Sequence, residues 1–383
     1  MYKIMKYCKN CLEPSTFPIT KFNKKGLCST CQYYLKFIKN FDEGQKLQIL
    51  KEITQKYKNS KNTFDCIIGV SGGKDSTRQA LWIRDKLKLR PLLVCCTYPP
   101  EQLTDLGARN LSNLIKLGFD LIVTAPGPQT WKKLLKKGFY GGNYLRGPEL
   151  ALYSSLPQIA IKYNIKLIFW GEGGNGKTTD ITTIVKKKEY DGNLLRKQDT
   201  LKNCDLSWTK DIIEDEAKLI PYKYPTERDF VKNKIQIIYL GWFMKDWSIL
   251  NNAKYSSLNG LKLRSDVVEN TGDLYGSMAL DEDWVIVNQM IKYYKFGFGR
   301  VTDYLNYEIR QGKIKREDAI KLVEKYDGKC DPKYIRSFCN YINISESEFW
   351  NTVSNFVNKK LFTLNNKKDS EKYLPKFKVG IGL

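Results

Sequence analysis

From about residue 64 the chain alternates short apolar runs with longer stretches in which apolar residues recur every three or four positions. The runs at 65–70, 91–97, 120–124 and 166–170 are short, apolar and partly β-branched, which predicts strands. Residues 75–88, 103–117 and 147–163 carry the helical period between them. Apolar strands alternating with amphipathic helices predict an α/β fold built on a doubly wound parallel sheet. Ahead of it, residues 43–58 read as a short polar helix. Beyond about residue 250 the strand signal fades, and 284–294, 300–311, 316–325 and 345–359 read as helices of a region packed over the sheet's ligand edge. A lysine-rich tail from Asn365 is expected to be partly disordered. The expected division is 1–40, 41–62, 63–250 and 251–383, with no internal repeat.

The densest chemistry follows the first apolar run: Ser71-Gly72-Gly73-Lys74-Asp75-Ser76. A strand, a glycine turn and a helix start wrap backbone N–H groups around phosphate oxygens. Glycine lets the backbone approach an anion without a Cβ in the way. Lys74 adds a full charge, Ser71 and Ser76 add hydroxyls, and the helix opens near Asp75. The spacing differs from that of P-loop NTPases.

A second loop, Gly171-Glu172-Gly173-Gly174-Asn175-Gly176-Lys177-Thr178, matches the P-loop pattern literally. The β-branched run after Thr178 is a poor helix start, however, and no downstream apolar strand ends in an aspartate. The expectation is therefore that 171–177 forms the rim of one site shared with 71–76. Gly171 would lie near the nucleotide, Glu172 would hold magnesium or orient substrate, and Lys177 would face substrate. A plain glycine-rich surface loop is the alternative.

Composition narrows the chemistry further. The chain has no histidine, so proton transfer falls to Asp, Glu, Lys or Tyr, and a metal site must use cysteine or carboxylate. Cys8-x2-Cys11 and Cys28-x2-Cys31 form two knuckles that predict a four-thiolate zinc ribbon, ahead of an iron–sulfur cluster or four buried thiols. Such a closed site is structural. Cys66, Cys95 and Cys96 sit in apolar runs and read as core thiols. The formal charge of +23 invites a nucleic-acid partner, but the lysines are spread from end to end, and ATP and a sugar acid are also anions. No apolar run is long enough to span a bilayer, and the first residues lack a signal-peptide core, so a cytoplasmic location is expected.

Taken together, these residues resemble the N-acetyl sugar amidotransferases, within the PP-loop ATP pyrophosphatases, over almost the whole chain. Four stretches carry the likeness. They are Tyr7-Cys8-Lys9-Asn10-Cys11 with Cys28 and Cys31; residues 70–76; residues 103–111; and a C-terminal set. That set comprises Thr271-Gly272-Asp273-Leu274-Tyr275-Gly276, residues 295–303, residues 309–312 and Glu324-Lys325-Tyr326-Asp327-Gly328. The resemblance implies an ATP-dependent enzyme that converts an N-acetyl group of a bacterial sugar, a nonulosonic acid being expected, to an acetamidino group. It implies roles in pseudaminic or legionaminic acid, O-antigen and flagellin-glycan pathways, with ATP, magnesium and structural zinc as cofactors.

Lys74 and Asp75 would act with Glu172 in catalysis. Thr104 and Asn110 would shape the substrate or nucleotide pocket, or else serve as helix cap and core-edge packing. Lys295 and Arg300 would bind the acceptor's carboxylate, or else be solvated. Ammonia would come from a separate glutaminase with a channelling subunit. One departure is plain: the family's Gly-Glu-Asn is here followed from Gly173 by an unrelated glycine-rich loop. The rivals are a tRNA thiolation enzyme and a P-loop NTPase using 171–178.

Overall fold

The computed structural model describes residues 5–18, 20–38, 42–58, 64–171, 201–366 and 371–381. At its centre are β1 (Cys66–Gly69), β2 (Pro91–Cys96), β3 (Leu121–Thr124), β4 (Leu167–Trp170) and β5 (Gln236–Tyr239). All pair in parallel, in the order β3-β2-β1-β4-β5. Chain order reverses between β1 and β4, so the crevice beyond their carboxyl ends is where such a sheet binds ligands.

Alternation along each strand feeds two cores. Ile67, Leu92, Val94, Ile168 and Ile237 join one, and Ile68, Leu93, Cys95, Phe169 and Ile238 the other. Buried residues of the helices Lys74–Lys86 and Arg146–Lys162 join the second and the first of these cores respectively. This is the doubly wound sheet that the apolar pattern predicts.

Several elements go beyond that pattern. The helix Pro128–Tyr140 starts with proline in its first turn and buries Trp131, Leu134, Leu135 and Phe139. Pro332–Ile342 buries Tyr334, Ile335, Phe338, Cys339 and Ile342. Both have a legible helical period, interrupted for the eye by lysines and a mid-helix glycine. The helix expected over 345–359 is Glu346–Ser354, capped by Ser345. The tail corrects the expectation of partial disorder over its described residues. Tyr373–Pro375 pairs antiparallel with Phe362–Leu364, and Tyr373 and Val379 are buried. Local lysine content set that expectation, and aromatic packing against Tyr294 and Trp350 decides the outcome.

The N-terminal residues do not stand apart. Leu12 N donates to Asn306 Oδ1 (2.6 Å), Arg316 donates to the carbonyls of Cys11 (3.2 Å) and Cys8 (3.4 Å), and Phe17 packs on Phe298 (5.3 Å between ring centroids). The ribbon is seated on the helices Arg300–Arg310 and Arg316–Tyr326.

Gly328 shows how closely this C-terminal region is fitted. Its φ is +81°, and a Cβ there would lie 2.3 Å from the Tyr293 ring. Left-handed backbone and overpacking together predict that Gly328→Ala destabilises the protein by about 2–5 kcal/mol. A urea midpoint unchanged from wild type would show that the ring moves aside freely.

Candidate active site and metal centre

The helix Lys74–Lys86 begins directly after Gly73, which makes no side-chain cap. Its first N–H groups and the positive end of its dipole are thus left for a ligand. Gly72 has φ +76°, and a Cβ there would meet Leu111 N at 2.8 Å. Glycine at 72 therefore serves packing against the helix Asp105–Lys116 as much as phosphate access. Ser76 Oγ donates to Gly73 O (3.2 Å) and accepts from Ser71 N (3.4 Å), which closes the turn.

A chain of alternating charge supports the loop. Lys74, 3% exposed, donates to Asp75 Oδ2 (2.8 Å) and lies 2.8 Å from Met278 Sδ. Asn252 Nδ2 donates to Asp75 Oδ1 (2.6 Å), and Asn252 Oδ1 accepts from Arg78 (2.6 Å), which pairs with Asp246 (2.6 Å). Gly171 is on the neighbouring strand's end. Gln79, with its amide oriented to satisfy both groups, donates to Trp170 O (2.9 Å) and accepts from Gly171 N (3.1 Å). The helix after β1 thus holds the end of β4 at Gly171.

These elements line a cavity of about 870 Å³. Ser71, Gly73, Lys74, Asp75, Ser76 and Gly171 form one side, and Ser277, Met278, Asp281, Gln289, Arg300 and Tyr304 belong to the C-terminal region. Glu13, Phe17, Thr30 and Tyr34 of the ribbon also line it. The turn before Met278 is made by buried Asp273, whose carboxylate accepts from Tyr275 N (3.1 Å) and Met278 N (3.0 Å). Arg264 holds its far end by donating to Ala279 O (2.8 Å).

Two adjacent carboxyls, Asp281 in this wall and its neighbour Glu282, hold protons unusually well. Burial raises Asp281 to about 6 and Glu282 to about 8. Sequence reasoning missed both, because nothing in their neighbours signals burial.

The four cysteine sulfurs lie within 4.8 Å of one another, all fully buried, with Cys11 and Cys28 at 3.8 Å. A tetrahedral ion with metal–sulfur bonds near 2.3 Å needs sulfurs about 3.8 Å apart, so the set fits a single ion. An iron–sulfur cube spreads its cysteines over separate irons and needs wider spacing.

Donors surround the sulfurs: Cys28 N to Cys8 (3.2 Å), Cys31 N to Cys28 (3.3 Å) and Asn10 Nδ2 to Cys31 (3.3 Å). Arg310 donates to Cys31 (3.4 Å), Cys11 (3.3 Å) and Cys28 (3.9 Å), and pairs with Glu13 (3.0 Å). Hydrogen bonds from neighbouring thiols hold Cys31 down at about 7, while burial pushes Cys11 up. A resident cation is what would let all four ionise together.

The remaining expected residues separate. Arg300 lines the cavity and is buried. Lys295 does not line it. Its ammonium donates to Gly142 O (2.9 Å), and burial lowers its proton affinity. Thr104 caps the helix Asp105–Lys116 by accepting from Gly107 N (2.9 Å), and donates to Leu280 O (2.5 Å). Asn110 exchanges hydrogen bonds with the backbone of Lys262 (2.9 and 2.8 Å). Both fasten the helix to the segment carrying the cavity wall, and neither lines the cavity. Cys96, read as a core thiol, is half-buried and lines the cavity; burial pushes it up to about 12, so it stays protonated. Glu172 and Lys177, with the rest of the 171–178 motif beyond Gly171, lie outside the described residues.

Two outcomes follow. Arg310→Met removes charge and hydrogen bonds from three sulfurs, so metal loss to a chelator is expected to be about 10- to 100-fold easier; unaltered retention would show that Arg310 only packs there. Glu282 binds its proton more tightly folded than unfolded, so stability falls as pH rises from about 4.5 through about 8. Glu282→Gln is expected to flatten that part of the urea-midpoint profile, gaining on wild type at pH 9 but not at pH 4. Parallel profiles would place the effect elsewhere.

Residues 269–376 match the family described as LPS biosynthesis protein WbpG-like, C-terminal domain. An uncharacterized protein of Methanocaldococcus jannaschii is 34% identical over 88 residues, which are 23% of this chain and 31% of that protein. The chain thus spans about a third of that relative. Among solved structures, the U34-tRNA thiolase NcsA from Methanococcus maripaludis, with its [4Fe-4S] cluster, superposes with a TM-score of 0.27 at 13% identity. That match covers 84% of this chain and 89% of the thiolase, and is too loose to establish a shared fold. The C-terminal wall of the cavity therefore lies in a stretch similar to the WbpG-like C-terminal domain, and the opposite wall is formed by the glycine loop after β1.

Proposed function

We propose that this protein is an ATP-dependent, AMP-forming amidotransferase that converts an N-acetyl group of a bacterial sugar to an acetamidino group. The observation that carries this reading is the shared cavity. The uncapped start of the Lys74–Lys86 helix opens into a space whose other wall is the WbpG-like domain. A nucleotide and a second reactant can therefore meet between the two.

An amide is a poor electrophile, and oxide does not leave at neutral pH. In the proposed reaction the amide oxygen attacks the α-phosphorus of ATP and pyrophosphate departs. Ammonia then adds to the imidate carbon and AMP leaves. The sum is amide, ATP and ammonia to amidine, AMP and pyrophosphate.

The backbone N–H groups of 71–76 and the charge of Lys74 would receive the β and γ phosphates, where negative charge grows as the bond breaks. Magnesium entering with ATP supplies further neutralisation of the phosphates. With no histidine in the chain, ammonia is best delivered neutral, which favours a separate glutaminase as partner. The thiolate set is read as structural zinc, since its spacing suits one tetrahedral ion and all four positions are taken by protein. A thiolation enzyme generally needs catalytic or cluster-binding cysteines in the ATP domain, whereas Cys96 is the one described cysteine in the cavity lining and burial holds it as the thiol.

Product analysis tests the reading. Purified protein with ATP, magnesium, an ammonium salt and N-acetylated sugars is expected to yield AMP and pyrophosphate in an acceptor-dependent way. Asp75→Asn, which disturbs the Lys74 pair at the loop, is expected to lower AMP formation about 10²- to 10³-fold. ADP and phosphate as products would assign the nucleotide to a different loop and refute the proposal.

A further inference from the structure

The wall contributed by residues 269–376 carries polar groups whose partners are missing among the described residues. Arg300 is only 7% exposed, lines the cavity, and makes no side-chain hydrogen bond or ion pair there. The hydroxyls of Tyr304 and Ser277, on side chains 3% and 2% exposed, are buried without a partner, and so is Gln289 Oε1. All four residues line the same cavity. A buried guanidinium without a counter-ion, beside unsatisfied hydroxyls, is costly unless a ligand completes it.

Three other cations that line the cavity are already matched. Lys74 is paired with Asp75, Lys292 with Asp303, and Arg310 with Glu13. The carboxylate of Asp273 is taken by two backbone N–H groups. Asp327 accepts from Gly299 N (2.7 Å), Val301 N (2.9 Å) and Thr302 Oγ1 (2.6 Å), on either side of Arg300. That cap fixes the arginine's backbone while leaving its guanidinium free. Tyr304 and Arg300 line the same cavity as Asp75 and the glycine loop.

We infer that Arg300, Tyr304, Ser277 and Gln289 form the acceptor subsite, and that the acceptor is an anion rich in hydroxyls whose negative group seats on Arg300. This rests on the amidotransferase reading above. The anion is a carboxylate if the acceptor is a sugar acid and a diphosphate if it is nucleotide-linked. Arginine's planar fork suits either, and the hydroxyls and the amide oxygen suit ring hydroxyls and an N–H. The nucleotide's own phosphates have the N–H groups and Lys74 of the opposite wall.

The test measures AMP formation with N-acetylneuraminate, its methyl ester, UDP-N-acetylglucosamine and neutral N-acetylmannosamine. Turnover is expected with the acid or the nucleotide sugar, whichever identifies the anion, and not with the ester or the neutral sugar. Arg300→Gln is expected to raise the acceptor KM about 10- to 100-fold with the ATP KM unchanged, and Arg300→Lys to recover part of that loss. Tyr304→Phe, which removes only an unpartnered hydroxyl, is expected to raise the acceptor KM several-fold at an unaltered urea midpoint.

Equal turnover of the neutral sugar overturns the inference, and so does a shift of the ATP KM in Arg300→Gln. AMP formed with a good acceptor but insensitive to both substitutions removes this subsite and leaves the amidotransferase reading intact. AMP formed with none of the four removes that reading, and this one with it.

Discussion

One buried carboxyl organises the C-terminal wall of the cavity. Asp327 caps the helix Arg300–Arg310 through two backbone N–H groups and a hydroxyl. Burial raises its proton affinity to about 6, and the hydrogen bonds oppose that rise, so at neutral pH it is ionised where the helix dipole favours a negative charge. The fit has no slack: a Cβ at Gly299 would lie 2.6 Å from Asp327 Oδ1. Two motifs about thirty residues apart, one ending near Arg300 and the other at Gly328, are thereby a single device. The helix so fixed is roughly 16 Å long. It presents an arginine to the cavity at its first residue and an arginine to the cysteine sulfurs at its last.

The phosphate side obeys a different constraint. A lysine in the first turn of a helix opposes the helix dipole, and Lys74 is buried as well. Either effect alone costs free energy, so the charge is answered in sequence by Asp75, Asn252, Arg78 and Asp246. Much of this support comes from the helix Ile249–Leu258 and the residues just before it, which lie far along the chain from the loop they stabilise. Ser256 Oγ adds a bond to Lys74 O at 2.6 Å. The loop's shape is therefore a property of the folded domain and not of six residues.

This explains what the sequence made legible. Strands β1 to β4, the helix after the glycines and the four-thiolate set were readable because each depends on local period or close spacing. The pocket roles were not. Thr104 and Asn110 sit where a substrate contact is expected, yet their side chains close against Leu280 and Lys262, partners more than 150 positions away. Arg300 and Lys295 look alike in sequence and differ only in what the fold puts beside them. Ser277, Gln289 and Tyr304 carry no motif at all. Their significance comes from burial without a partner, a condition that no linear pattern encodes.

The ribbon's seat has a consequence for how the protein is made. Cys11 and the Arg310 that donates to its sulfur are 299 residues apart, and Leu12 and Asn306 are 294 apart. At ordinary translation speeds of about 5–20 residues per second, roughly 15–60 s separate the synthesis of the thiols from that of their cover. During that interval the nascent chain holds a phosphate loop but lacks the opposite wall and the ribbon's dock. The ribbon and the C-terminal region close the cavity last, so its lining is complete only once residue 310 has been made.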